Sequence, residues 1–137
     1  MAWNDVCVSV QDRAPRARDL RQAISDAIVR VSADFIGRGP TRAKTYINGD
    51  VVFCVMEDTL TRGERSLIAD GDGEAVRQMR RRFQDAMRRQ VCSAVEALTE
   101  HKVVSFLSDN DIEAETAIEV FILDGPVDFV PDEMHGG

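Results

Sequence analysis

The sequence predicts an α+β domain: a four-stranded, mainly antiparallel sheet packed with two long helices and one short helix, in the order α-β-β-α-α-β-β. Three observations carry this. Two segments place apolar residues at helical spacing, Leu20, Ile24, Ile28, Val31 and Phe35 in the first and Val76, Met79, Phe83, Met87, Val91, Val95 and Leu98 in the second. Two pairs of short apolar runs read as strands. Those runs are apolar at nearly every position rather than at alternate ones, a pattern that asks for cover on both faces of the sheet.

Each element has its own punctuation. Residues 1–14 form an N-terminal arm with a short alternation of Val6, Val8 and Val10. Pro15 opens the first helix and Gly37 closes it, because glycine takes the left-handed conformation that ends a helix. Pro40 cannot continue one, so an extended segment starts at Thr41. Asn48-Gly49 tolerates positive φ at both centres of a type I′ turn, and a hairpin is expected there, with its second strand over 51–56. Thr61 with Glu64 three residues on is a capping box for a short helix over 62–69. Asp70-Gly71-Asp72-Gly73 breaks the chain before the long helix over 74–98.

Two further strands are expected over 102–107 and 116–123, separated by an acidic loop over 108–115 in which Ser108, Asp109 and Asn110 turn the chain. Glu119 is the main polar exception in these strands. A single domain thus spans 15–124, followed by a flexible tail over 125–137 with Pro126, Pro131 and a terminal Gly-Gly. Two long helices cover one sheet face, so a second subunit is expected to cover the other. A homodimer follows, with Phe121 taken as an outward-facing strand residue.

Composition narrows the class. With 137 residues the chain can bury roughly two thirds of its unfolded surface. The net charge of −7, from 24 acidic and 17 basic residues, argues against nucleic acid as a partner and against binding to an anionic membrane surface. Direct membrane insertion is not expected of a chain without an apolar span. No stretch approaches the ~20 apolar residues of a membrane span, and the first residues lack a signal-peptide pattern. Cys7, Cys54 and Cys92 show no CxxC spacing and read as free thiols in a reducing compartment, which makes a cytoplasmic location the expectation.

No catalytic constellation emerges, so a noncatalytic protein without a cofactor or metal is expected. Ser108-Asp109-Asn110 matches one motif of serine β-lactamases, but Ser-x-x-Lys is missing and Lys44-Thr45 is followed by Tyr46 where glycine belongs. Calcium loops starting at Asp109 or Asp70 fail at their sixth and twelfth positions. The basic residues give one local signal. Arg77, Arg80, Arg81, Arg82, Arg88 and Arg89 lie on the long helix, and Arg38, Arg42 and Lys44 surround the Gly-Arg-Gly-Pro turn. Where guanidinium groups converge they suit phosphate or carboxylate; otherwise they form a solvated helix face.

Several stretches together resemble a known family: Phe35-Ile36-Gly37-Arg38-Gly39-Pro40-Thr41, Lys44-Thr45-Tyr46-Ile47, Leu60-Thr61, Val76 to Gln84, and Val103 to Asn110. Over about residues 17–124 the chain is similar to the MpsC-like family, named for a component of a sodium-translocating, membrane-potential-generating system. The resemblance implies an accessory interaction protein with a membrane transport-system protein as partner. It carries over no catalytic residues.

The candidate partner-binding residues are Arg38, Gly39, Pro40 and Thr41 in the first turn and Ser108, Asp109 and Asn110 in the second, since binding residues commonly lie where strands meet loops. The alternative is a sensor of small anionic ligands holding its anion with Arg38, Arg42 and Arg81. An enzymatic alternative is a hydrolase using Asp109 with Ser108.

Overall fold

The computed structural model describes residues 14–131. Helix α1, Ala17–Ile36, buries Leu20, Ile24 and Ile28 and ends at Gly37, whose φ of 88° lets its N–H reach the Ala33 carbonyl. Strands β1, Arg42–Asn48, and β2, Val51–Glu57, form the expected hairpin. Its turn sits one residue later than the sequence suggests. Asn48 pairs with Val51, so Gly49 and Asp50 are the loop, and positive φ falls on Gly49 alone. A glycine-first two-residue turn closes the hairpin rather than the Asn-Gly type.

Helix α2, Arg62–Ala69, opens with both halves of the capping box: the Glu64 amide donates to Thr61 Oγ1 at 3.2 Å and the Thr61 amide to Glu64 Oε1 at 2.8 Å. Helix α3, Gly73–Thr99, follows and is the longest element. Strands β3, Val103–Asp111, and β4, Thr116–Leu123, complete a sheet of order β1-β2-β4-β3, antiparallel throughout. The architecture is the α+β sandwich that the helical and strand patterns indicate.

Both long helices pack on one face of the sheet and against each other. Val52, Cys54 and Met56 of β2 and Ala117, Phe121 and Leu123 of β4 point into this layer with Ile24, Ile28, Met87, Val91 and Val95. A second cluster of Leu60, Val76 and Ile112 lies beneath α2 with Leu67 and Ile68.

The strand faces correct one assignment. Phe121 is 0 % exposed and faces the helices, while Phe53, Val120 and Leu107 face away from them. Strands apolar on both faces give no alternation from which to read that parity.

The acidic loop is also shorter than expected. Ser108, Asp109 and Asn110 lie within β3, opposite Glu119, Ile118 and Ala117. Pairing with β4 overrides the turn preference of these short polar side chains, and the strand's alternation sends Asp109 and Asp111 outward. The reversal itself occupies residues 112–115, with Glu115 at φ 52°.

The N-terminal arm, apart from residue 14, and the last six residues of the expected tail lie outside the described residues. Within 125–131, Val127 is buried and its amide donates to the Gly49 carbonyl at 3.0 Å. Val130 pairs with the start of α1: its amide donates to Pro15 and its carbonyl accepts from Ala17, each at 2.8 Å.

Candidate functional site

The α1–β1 connection and the middle of β3 meet at one cavity. Four of the sequence-derived candidates line it, Arg38 and Pro40 from the connection and Ser108 and Asn110 from β3. Ile36, Met56, Phe83, Met87 and Ala117 supply apolar wall, and Ser32, Thr59, Gln84, Arg80 and Glu119 supply polar groups. Its volume is about 30 Å³.

Two of its polar groups, Glu119 and Ser108, end a polar row that crosses the inner face of all four strands. Thr45, Cys54, Glu119 and Ser108 are consecutive partners in register. At one end Thr45 Oγ1 lies 2.7 Å from Ser25 Oγ of α1, a satisfied buried pair. At the other end, Ser108 Oγ and Glu119 Oε1 are buried with no hydrogen-bond partner. Glu119 is 3 % exposed, and burial alone pushes its carboxyl up to about 7.

Burial also raises the Cys54 thiol, with the nearby Glu119 adding to the effect against hydrogen bonds from Thr45 and Ser25. Cys92 is raised by burial as well, opposed by Arg88. Both thiols are thereby kept in the protonated, weakly nucleophilic form.

The guanidinium groups are already engaged. Arg38 donates through Nη1 to the carbonyls of Asp58 and Leu60, at 3.0 and 2.5 Å, and through Nη2 to Asp58 Oδ2 at 2.7 Å. This clamps the end of α1 to the β2–α2 loop. Asp58 stands at φ 56°, and its carboxyl is held below the usual range chiefly by Arg38. Arg80, counted by sequence among the surface arginines, is buried: it binds Glu64 through Nε at 2.7 Å and Nη2 at 2.5 Å, and also reaches the Thr59 carbonyl. Burial works to raise Glu64, but Arg80 and the Thr61 amide outweigh it and hold the carboxyl low.

The remaining candidates lie elsewhere. Gly39 packs against α1, where an added Cβ would stand 3.0 Å from Val29 Cγ1 and 3.2 Å from the Val29 carbonyl oxygen. Thr41 and Arg42 line a second, open cleft with Glu57, Asp58 and Glu115, and Arg42 pairs with Glu57 at 3.2 Å. Arg81 is exposed on α3 and lines neither space. The three arginines of the anion-sensor reading therefore do not share a cavity.

Ser108 and Asp109, adjacent on a strand, face opposite sides of the sheet. The pairing required by the hydrolase reading is not made. Among the described residues no group of three or more His, Cys, Asp and Glu side chains could hold a metal ion.

Sequence reasoning missed Glu119, Arg80, Thr59, Ser32 and Gln84 as cavity residues. A signal existed only for Glu119, the single carboxylate in an otherwise apolar strand.

No curated protein and no solved structure matches this chain. Among the described residues no helix is long and apolar enough to cross a membrane. The family model described as "Na+-translocating membrane potential-generating system (MpsC)" matches residues 16–125, which takes in every helix and strand described above, and the chain belongs to that family.

Proposed function

We propose that the protein is a noncatalytic, cytoplasmic accessory component of a sodium-translocating, membrane-potential-generating system, and that it works as a homodimer that docks on a membrane protein of that system. Family membership supports the setting. The observation that carries the dimer is the outer face of the sheet.

Two cross-strand rows define that face. One runs Tyr46, Phe53, Val120, Leu107 and the next Lys44, Val55, Ile118, Asp109. Tyr46 and Phe53 stack with centroids 4.8 Å apart, yet Tyr46 is 39 % exposed and Leu107 57 %. An apolar centre of this kind is costly to leave in water.

The second row has a cation at the β1 edge and a carboxylate at the β3 edge. Two copies stacked face to face about an axis parallel to the strands bring β1 of one over β3 of its partner, so Lys44 and Asp109 face each other twice. The same face is thus complementary to itself. The chemistry of the inner face supports an interaction role: its arginines hold structural carboxylates, burial raises its thiols, and the Ser108 hydroxyl makes no hydrogen bond to the neighbouring Glu119.

The test pairs light scattering with complementation. The wild-type protein is expected to run as a dimer and Phe53→Glu as a folded monomer with unchanged circular dichroism. Cells lacking the gene are expected to lose sodium-dependent membrane potential, restored by the wild-type gene but not by the Phe53→Glu form. A monomeric wild type overturns the dimer, and an unaltered potential in the deletion strain overturns the accessory role.

A further inference from the structure

The cavity between α1, α3 and the sheet makes one chemical demand that nothing among the described residues meets. Two ion pairs border it, Arg80 with Glu64 and Arg38 with Asp58, each internally neutral. Glu119 has neither an ion pair nor a hydrogen bond among the described residues, and no cationic group acts on it. Ser108, its register partner on β3, offers a hydroxyl oxygen that is equally without a partner. An ionised Glu119 thus leaves the cavity with a single uncompensated negative charge and two acceptors aimed at the same space.

We propose that this cavity binds a small organic monocation, a primary ammonium on a short apolar body, with the ammonium donating to Glu119 and Ser108 and the apolar part lying against Phe83, Met56 and Met87.

Each part of that ligand answers a feature of the walls. One unmatched carboxylate balances one positive charge. An anion would meet guanidinium groups already neutralised by Glu64 and Asp58, and would face Glu119 unshielded. A divalent ion would find one carboxylate where it needs several. A bare alkali ion could take oxygens from Glu119, Ser108, Asn110 and Ser32, but it makes no use of the apolar wall of Ile36, Phe83, Met56 and Met87, against which it would have to give up its water.

An alkylammonium uses both surfaces. Its N–H groups go to the two orphaned acceptors, and its carbons replace water on the aromatic and thioether walls, where Phe83 adds a π face to a cation's surroundings. About 30 Å³ of space admits a body of a few heavy atoms and no more. The half-buried residues Ile36, Pro40, Phe83, Gln84 and Asn110 form the rim through which it enters. The cavity makes this demand whether or not the protein serves a transport system.

The experiment is a titration of the full-length protein followed by amide proton–nitrogen spectra, with n-propylammonium chloride as probe and n-propanol and sodium chloride as controls at matched ionic strength. Saturable shifts are expected for n-propylammonium at the amides of Ser108, Ala117 and Glu119, with n-propanol weaker and sodium chloride without effect there. Glu119→Gln, which keeps the volume and removes the charge, is expected to weaken n-propylammonium by about tenfold or more and to leave n-propanol unchanged. The two wild-type controls decide the matter even if the variant fails to fold. Absence of saturable shifts, equal response to n-propanol, or equal response to sodium chloride overturns the proposal, leaving a cavity filled by water or a bare ion only.

Discussion

Arg80 of α3 and Glu64 of α2 form an ion pair closed to solvent, while the same Glu64 carboxylate also accepts the Thr61 amide that starts α2. One side chain therefore caps a helix and fastens it to the next. Arg80→Met strands a carboxylate in the interior and is expected to cost about 3–5 kcal/mol in chemical denaturation. Adding Glu64→Gln removes the stranded charge and should recover part of that loss. A double variant no more stable than Arg80→Met would show that packing, not charge, accounts for the effect.

Glu119 makes stability depend on pH. Its carboxyl holds a proton more tightly in the folded chain, up to about 7, than in the unfolded chain, where it titrates near the ordinary 4.5. The contribution is complete below the unfolded value and is lost as pH rises through the folded one, by roughly 3 kcal/mol. Urea denaturation of the wild type and Glu119→Gln at about pH 5 and about pH 8 is expected to show the wild type losing stability relative to the variant across that interval. Parallel pH profiles would mean that water or an ion already compensates the charge.

Two glycines should respond in opposite directions. Gly39→Ala pushes a methyl into the Val29 side chain and carbonyl, and a loss of about 1–3 kcal/mol is expected. Gly63, within α2, has nothing within 4 Å of its would-be Cβ, and Gly63→Ala is expected to stabilise by about 0.5–1 kcal/mol. Thermal unfolding distinguishes these outcomes, and a neutral Gly39→Ala would show that Val29 yields.

The outer-face charges should behave as a matched set. Lys44→Glu is expected to weaken self-association measured by sedimentation, and Lys44→Glu combined with Asp109→Lys to restore it, each effect shrinking at high salt. A double variant as weak as the single one would separate the apolar contact from the charge arrangement.

What could be read in advance follows from how local each signal is. The capping box at Thr61 and Glu64, the stop at Gly37 and the two apolar helical stripes act over a few residues, and all appear at the expected places. Strand parity is different, because Phe121 and Phe53 look alike in a run apolar on both faces. Ser108 to Asn110 carry turn-forming side chains, and only pairing with β4 makes them strand. Arg80 sits among five other arginines of one helix, and the partner that draws it inside lies sixteen residues earlier.

The cavity needed five separated stretches to meet, 32–40, 56–59, 80–87, 108–110 and 117–119, and turn chemistry pointed to only two of them. Arg38, Pro40, Ser108 and Asn110 were in view because they flank expected turns. Glu119 was visible as an anomaly, but its loneliness is a property of the packed interior.

The pairing of Arg16 with Val130 means that the path from the first helix to the end of the sheet returns to its starting point. Anything tethered to either end of this domain departs from the same pole. A fusion partner at one end would compete for space with one at the other, and a short bridge between them would close the chain into a ring, leaving the Gly49-Asp50 turn or the 112–115 reversal as places to reopen it.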